Sequence, residues 1–224
     1  MKILLDSLQA GNLSGTGTYA DALARCLSEV GSDASVSAVF PVHMAERFGR
    51  YSLAERFPSS TAGFPLGTFA RTMQMRRAIR HTRPDIIHYP ATFARLTGRG
   101  GVSSAKLVVT VHDLSFMRHP EWFTKRRSVY YNAAIRPTVS AADMVLADSE
   151  ATADDLRSRL GVASNRIAVT PLGVDERFGP ASAVEVESAR SKYKLPERFF
   201  LYVGTIEPRK NLPRAIEAFN HIAD

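Results

Sequence analysis

His112 and Asp113 stand side by side directly after an apolar, β-branched run, Leu107–Val111. They are residue types used for proton transfer and for holding developing charge. Such a run reads as a strand buried on both faces. In an open parallel sheet, ligands gather just outside the carboxyl ends of the strands. The strand therefore delivers an imidazole and a carboxylate to the place where chemistry is done. The same pair could equally cap the loop and do nothing else.

A second candidate lies near the start. Lys2–Asp6 reads as a strand, Gln9–Thr18 is a Gly/Ser/Thr loop, and Ala20, Leu23, Ala24, Leu27 and Val30 fall at helical spacing. Glycine lets a backbone come close to an anion, and a helix N-terminus offers free N–H groups and a partial positive charge. Gly15–Ala20 fits G-x-G-x-x-A. As a dinucleotide fingerprint it falls short: the loop after Asp6 is too long for the tight turn, and the second strand, Ser35–Phe40, ends in Phe40-Pro41 without a ribose-binding acid. A plain connector is the competing reading.

The third is basic. Thr68–Arg83 is predicted helical, with Arg76, Arg80 and Arg83 on one face, Arg71 and Arg77 near it, and Phe69, Met73, Met75 and Ile79 supplying apolar atoms. It is either a solvated basic face or a surface that touches anionic lipid headgroups. His88, in a short strand at Ile86–Tyr89, serves structure as readily as function.

The elements that must position these residues alternate. After His43–Pro65, which has no clear pattern, come the Arg-rich helix, the His88 strand, a loop at Gly98–Gly101 and the His112 strand. A helix is expected over Thr124–Ala142, kinked or broken at Pro137. Then come a strand at Asp143–Ala147, a helix over Glu150–Leu160 capped by Asp148-Ser149 and closed by Gly161, and a strand at Arg166–Thr170. Alternation of this kind predicts an α/β fold: a Rossmann-like, doubly wound parallel sheet covered on both faces. Glu176–Lys194 reads as a linker with a short helix, Phe199–Val203 as a new strand, Ile206–Asn211 as a polar turn and Pro213–Ala223 as a helix. One strand and one helix cannot bury a core, so a second domain is begun and not finished.

The 224 residues are 45% hydrophobic and 23% charged, an ordinary soluble composition with room for a sizeable core. One cysteine, Cys26, excludes an internal disulfide and a cysteine-rich zinc site, and points to a reducing, cytoplasmic setting. No stretch approaches the roughly 18 apolar residues of a spanning helix. A net charge of +7 admits a nucleic acid, an anionic lipid surface or a phosphorylated ligand. No nucleic-acid motif or aromatic interleaving accompanies that charge, so no nucleic-acid partner is expected.

Five motifs occur in order: SGTGTY at Ser14–Tyr19, VHDLSFMRHPEWF at Val111–Phe123, ADMVLADSEATADDL at Ala142–Leu156, RIAVTPLGVDERF at Arg166–Phe178 and YVGTIEPRKNLPRAIEAF at Tyr202–Phe219. As an ordered set they resemble the family-4 glycosyltransferases, retaining enzymes built of two Rossmann-like domains (GT-B). The resemblance implies a nucleotide-sugar donor held mainly by the second domain and a saccharide or lipid-linked acceptor on the first. It matches His112, with Asp113 beside it, to the family's cleft histidine. Gly15 and Gly17 match the loop that approaches the donor diphosphate, and Lys210, with Arg209 beside it, the cations that neutralise it. Thr205 stands where many relatives carry an arginine. Tyr19, His88 and Arg118 are candidates for acceptor contact. No D-x-D occurs, which fits metal-independent chemistry with no cofactor. The GTIEPRKN segment resembles mannosyltransferase-like members, implying a GDP-mannose type of donor and a role in surface polysaccharide or glycolipid assembly.

These readings divide the chain into an N-terminal acceptor-side domain at 1–178, a linker at 179–198, and the first strand and helix of a truncated donor-binding domain at 199–224. They predict little or no transfer by this chain alone. The location expected is cytoplasmic, with peripheral contact to the inner membrane face through Arg76, Arg80 and Arg83. Two alternatives remain open: a non-enzymatic module without its own donor domain, which binds an acceptor or a partner subunit that supplies that domain, and a nicotinamide-dependent oxidoreductase, against which Phe40-Pro41 argues.

Overall fold

A computed structural model describes residues 1–12, 14–30, 33–59, 66–91 and 104–222. The Gly98–Gly101 loop lies outside the described residues. Two compact units are resolved, residues 1–171 and 172–224.

The first unit carries, in chain order, β1 (Lys2–Asp6), α1 (Gly15–Glu29), β2 (Ser35–Pro41), α2 (Ala45–Gly49), β3 (Glu55–Ser59), α3 (Leu66–Thr82), β4 (Ile86–Tyr89), β5 (Lys106–Val111), α4 (Ser115–Arg118), α5 (Lys125–Ala141), β6 (Met144–Ala147), α6 (Glu150–Leu160) and β7 (Ile167–Val169). The strands form one sheet in the order β3-β2-β1-β4-β5-β6-β7, with every pairing parallel. This is the doubly wound α/β sheet that the alternation predicted.

Because side chains alternate across a strand, the central strands feed two cores. Leu4 and Val39 join Ile87, Val109, Val111, Ile135 and Leu156 in one. Ile3, Leu5, Ala38 and Phe40 join Ala20, Ala24 and Phe48 in the other. In the second, the Phe40 and Phe48 rings stack at 4.3 Å, which secures α2 by about 0.5–1.5 kcal/mol beyond area burial. A polar cluster adds to this: buried Tyr51 donates to buried Asp21 at 2.7 Å, and the exposed Arg47 pairs with the same carboxylate at 2.6 Å.

Several helix ends follow local chemistry. Ser14 and Ser149 accept the amides of Gly17 and Thr152 and so cap α1 and α6. The capping expected of the Asp148-Ser149 pair is therefore made by Ser149 alone. Gly161 closes α6 at φ +66°, a left-handed value that suits glycine. Pro137 does not break α5, which runs on to Ala141. Its missing N–H removes one helical hydrogen bond without ending the helix.

The unpatterned stretch turns out to hold α2 and β3. Glu55–Ser59 (ERFPS) pairs with β2 along one edge of the sheet. Its Arg56 folds back to the carbonyls of Phe48 at 3.1 Å and Tyr51 at 2.6 Å.

The second unit contains α7 (Ala183–Tyr193), capped by a reciprocal Ser182–Glu185 pair, and α8 (Leu212–Asn220). Phe199–Val203, expected as a strand, forms none. A strand gains ladder bonds and a buried face only from neighbours, and all seven strands of the sheet lie in the first unit. These five side chains are exposed instead.

Candidate functional site

The strand order reverses between β1 and β4, so the crevice outside their carboxyl ends is where a doubly wound sheet receives a ligand. His112 follows β5, the next strand along. Its ring is held at both nitrogens: Nδ1 lies 2.6 Å from Asp148 Oδ2 and Nε2 lies 2.9 Å from the Pro90 carbonyl. The His112 carbonyl accepts the Thr152 hydroxyl at 3.1 Å. Tyr19, from the first turns of α1, sets its ring edge-on to the imidazole at 5.0 Å between centroids. Burial pulls the His112 pKa down, but the hydrogen bond and charge of Asp148, with Pro90 and Asp113 behind them, leave it above the ordinary 6.5.

Beneath this ring runs a second polar chain. Tyr19 Oη lies 3.2 Å from Thr110 Oγ1, and His88 Nε2 lies 2.9 Å from the same oxygen. Burial raises the Tyr19 pKa and lowers that of His88 to about 4. His88 is therefore neutral, and with 5% exposure it reaches the site only through Thr110.

The other expected residues fall as follows. Asp113 turns away from the ring and accepts the Ser115 amide at 2.9 Å and hydroxyl at 2.5 Å, so it shapes the start of α4. The expected His112–Asp113 partnership is thus corrected to His112–Asp148. Gly15 is exposed, and a Cβ there would meet nothing within 4 Å. A Cβ on Gly17 would overlap the Asn12 carbonyl oxygen and lie 2.9 Å from that of Gln9. That glycine is required by its own loop. Arg118 pairs with Asp155 at 3.5 Å. In the second unit, Tyr202 donates to the Thr205 carbonyl at 3.0 Å, Arg209 pairs with Glu207 at 2.7 Å, and Lys210 ends a 3-10 turn at Pro208–Lys210. The basic helix ends at Thr82, with Arg76 half-buried and Arg80 exposed; Arg83, expected on the same helical face, lies one residue beyond the helix at φ +45° and is exposed. Met75 and Ile79 are buried, whereas Phe69 and Met73 are exposed.

Asp148 is the residue that sequence reasoning missed. Val111 and Ala147 form the last rung between β5 and β6, so the next residues, His112 and Asp148, leave the sheet together. Adjacency of the two strands was the signal that could have found it. Four buried polar atoms among the described residues lack a hydrogen-bond partner: Ser7 Oγ, Ser59 Oγ, Asp148 Oδ1 and Thr170 Oγ1. All four stand at the carboxyl ends of strands, the edge where a ligand could satisfy such groups. No three His, Cys, Asp or Glu side chains converge as a metal site among the described residues. No helix among them is long and apolar enough to cross a membrane.

A model of Glycosyltransferase Family 4 matches residues 13–178. The chain is 29% identical over 115 residues to the O-antigen chain mannosyltransferase B of Escherichia coli, covering 51% of this chain and 30% of that one. It is 29% identical over 154 residues to the serotype-specific mannosyltransferase WbdA of Escherichia coli, covering 64% of this chain and 19% of that one. The chain thus spans less than a third of these relatives' own length. Among solved structures it is similar to Anabaena Alr3699/HepE in complex with UDP-glucose, with a TM-score of 0.60 and 19% identity over 87% of this chain and 50% of that one. It is likewise similar to a sucrose-phosphate synthase from Thermosynechococcus elongatus, with a TM-score of 0.59 and 15% identity over 88% of this chain and 53% of that one. These structural likenesses speak for the fold.

Proposed function

Because this chain belongs to Glycosyltransferase Family 4, we propose that it is the acceptor-side part of an enzyme that moves a sugar from a nucleotide-sugar donor to a saccharide or lipid-linked acceptor, with retention at the anomeric carbon. The mannosyltransferase names of its relatives favour GDP-mannose and surface polysaccharide assembly. The observation that carries the reading is His112, whose two ring nitrogens both face acceptors at the carboxyl edge of the sheet. With Asp148 and the Pro90 carbonyl already at its two nitrogens, the ring has no free nitrogen to act as a base, which suits transfer without a general base. The bond between the anomeric carbon and the diphosphate oxygen breaks, a bond to the acceptor oxygen forms, and the acceptor's proton passes to the departing diphosphate. Gly15, Thr205, Arg209 and Lys210 serve the donor, with backbone N–H groups and cations offsetting the charge of the leaving group. No metal or other cofactor takes part.

The test is transfer from GDP-mannose to saccharide primers, by the 224-residue chain and by the same chain joined to a complete donor-binding domain. The extended enzyme is expected to transfer with retention, and the 224-residue chain to transfer little or nothing. An extended enzyme that uses no nucleotide sugar refutes the assignment, and an inverted product refutes retention.

We further propose that Arg76, Arg80 and Arg83 bring the protein to the anionic inner face of the cytoplasmic membrane. Arg80 and Arg83 border an open hollow with Lys106, Ser104 and Asp85, three cations to one carboxylate, and Phe69 and Met73 stand exposed on the helix that carries Arg76 and Arg80. The chain should sediment with anionic vesicles and be released by salt, since exposed charges are screened within about 10 Å at 0.1 M. Equal binding to neutral vesicles, or unchanged binding after all three arginines become Gln, would contradict this.

A further inference from the structure

An imidazole flanked by two acceptors satisfies both only when each ring nitrogen carries a hydrogen. His112 is in that position, between Asp148 and the Pro90 carbonyl. The His112 and Asp148 side chains are 17% and 12% exposed, so water competes little for either. We propose that Asp148 is a positioning residue for His112: it locks the ring at a fixed angle with both nitrogens protonated, so that the site meets its sugar donor with a charged donor group in place of a base.

Among the described residues, the groups that face His112 support this division of labour. Asp113, in the same loop, is engaged by Ser115. Tyr19, from α1, presents a ring edge and directs its hydroxyl to Thr110. Thr152, from α6, bonds the backbone carbonyl and not the ring. Pro90, after β4, contributes a neutral carbonyl. Asp148 alone among these both touches the ring and carries a charge. Its Oδ2 holds the imidazole, and its other oxygen, Oδ1, is buried without a hydrogen-bond partner among the described residues, so within them the ring is its one hydrogen-bonding partner among side chains. With Nδ1–H held by Asp148, the Nε2–H can pass from the Pro90 carbonyl to a hydroxyl or phosphate oxygen of the donor. The chemical consequence rests on the glycosyl-transfer reading above, whereas the pair itself can be measured without any reaction.

The experiment follows the ring nitrogens of His112 by NMR across pH in the 224-residue chain, assigned by difference from His112→Gln. Both nitrogens should be protonated at neutral pH. Asp148→Asn should lower the midpoint by about 1–2 pH units, because burial persists after the charge has gone. Asp148→Glu should restore most of the shift. His88 serves as a fold control: its midpoint stays at about 4 in a folded chain and rises to 6.5 in an unfolded one. In the extended enzyme the pH profile of kcat/KM should move with the NMR midpoint. An unprotonated ring nitrogen in the wild type at neutral pH overturns the proposal. So does an unmoved midpoint in folded Asp148→Asn, or a kcat/KM profile that ignores a moved midpoint. If NMR shows the pair and the extended enzyme transfers no sugar, the pair stands and the functional reading falls. If transfer is intact and the pair is missing, the reverse holds.

Discussion

Replacing His88 with Gln should relieve the chain of about 3 kcal/mol of acid sensitivity between pH 6.5 and pH 4. His88 is buried, and its pKa is lowered from 6.5 to about 4. Each unit of that difference corresponds to about 1.36 kcal/mol, so roughly 2.5 units amount to about 3 kcal/mol. Above pH 6.5 the imidazole is neutral in both folded and unfolded chains and contributes nothing. As pH falls below 6.5 the unfolded chain binds a proton that the folded chain refuses, and stability drains away until the folded value is passed. His112 acts in the other direction and in another window. Its folded pKa is raised, so its contribution is complete below the unfolded value and is lost as pH climbs through the folded one. Gln can still bond the Thr110 hydroxyl and does not titrate. Urea unfolding at pH 7, 5.5 and 4, read from the midpoint of the lone tryptophan's fluorescence, supplies the comparison. Carboxylates common to both chains cancel in the difference. The gap between variant and wild type should widen in the variant's favour by about 1.4 kcal/mol per pH unit and level off below pH 4. A flat gap would refute the buried neutral histidine and, with it, the polar chain through Thr110.

Two further outcomes are expected. Gly17→Ala should cost about 1–3 kcal/mol by thermal melting, because its Cβ drives into the Gln9 and Asn12 carbonyls, whereas Gly15→Ala should be neutral or stabilising by up to about 1 kcal/mol. His112→Ala strands the Asp148 carboxylate without its donor, which should cost about 1–3 kcal/mol and cut turnover of the extended enzyme roughly 10²-fold; removing Asp148 as well should recover stability, seen in the melt, without recovering turnover.

Much of the sheet was legible because its central strands are continuous apolar runs. Leu107–Val111 and Ile86–Tyr89 read as strands and are strands. Glu55–Ser59 did not, because an edge strand is half solvated and this one carries Glu55 and Ser59 at the inward positions where alternation would need apolar residues, leaving Phe57 as the single apolar signal, with Pro58 beside it arguing against a strand. Phe199–Val203 failed in the opposite sense. Its composition suits a strand, but composition supplies no neighbour to pair with. At the site, His112 was visible because it ends a buried strand. Asp148 was not, since 36 residues separate the two and only the parallel pairing of β5 with β6 joins them. Asp113 attracted the reading by being adjacent, yet a side chain one position along a strand end points elsewhere. His88 looked like a residue with chemistry to offer, but no sequence pattern states that a particular imidazole is fully enclosed.

The least patterned strand has a consequence for how molecules of this protein meet each other. An all-parallel sheet has two open flanks, each a template on which another chain could add a strand. On one flank β7 is three residues long, too short to seed much pairing. On the other, β3 places Pro58, which offers no N–H to any neighbour, and Arg56, whose guanidinium is tied back over the chain by the Phe48 and Tyr51 carbonyls. Crowded copies are therefore denied a continuous seam to zip along on either flank of the seven strands that the described residues form.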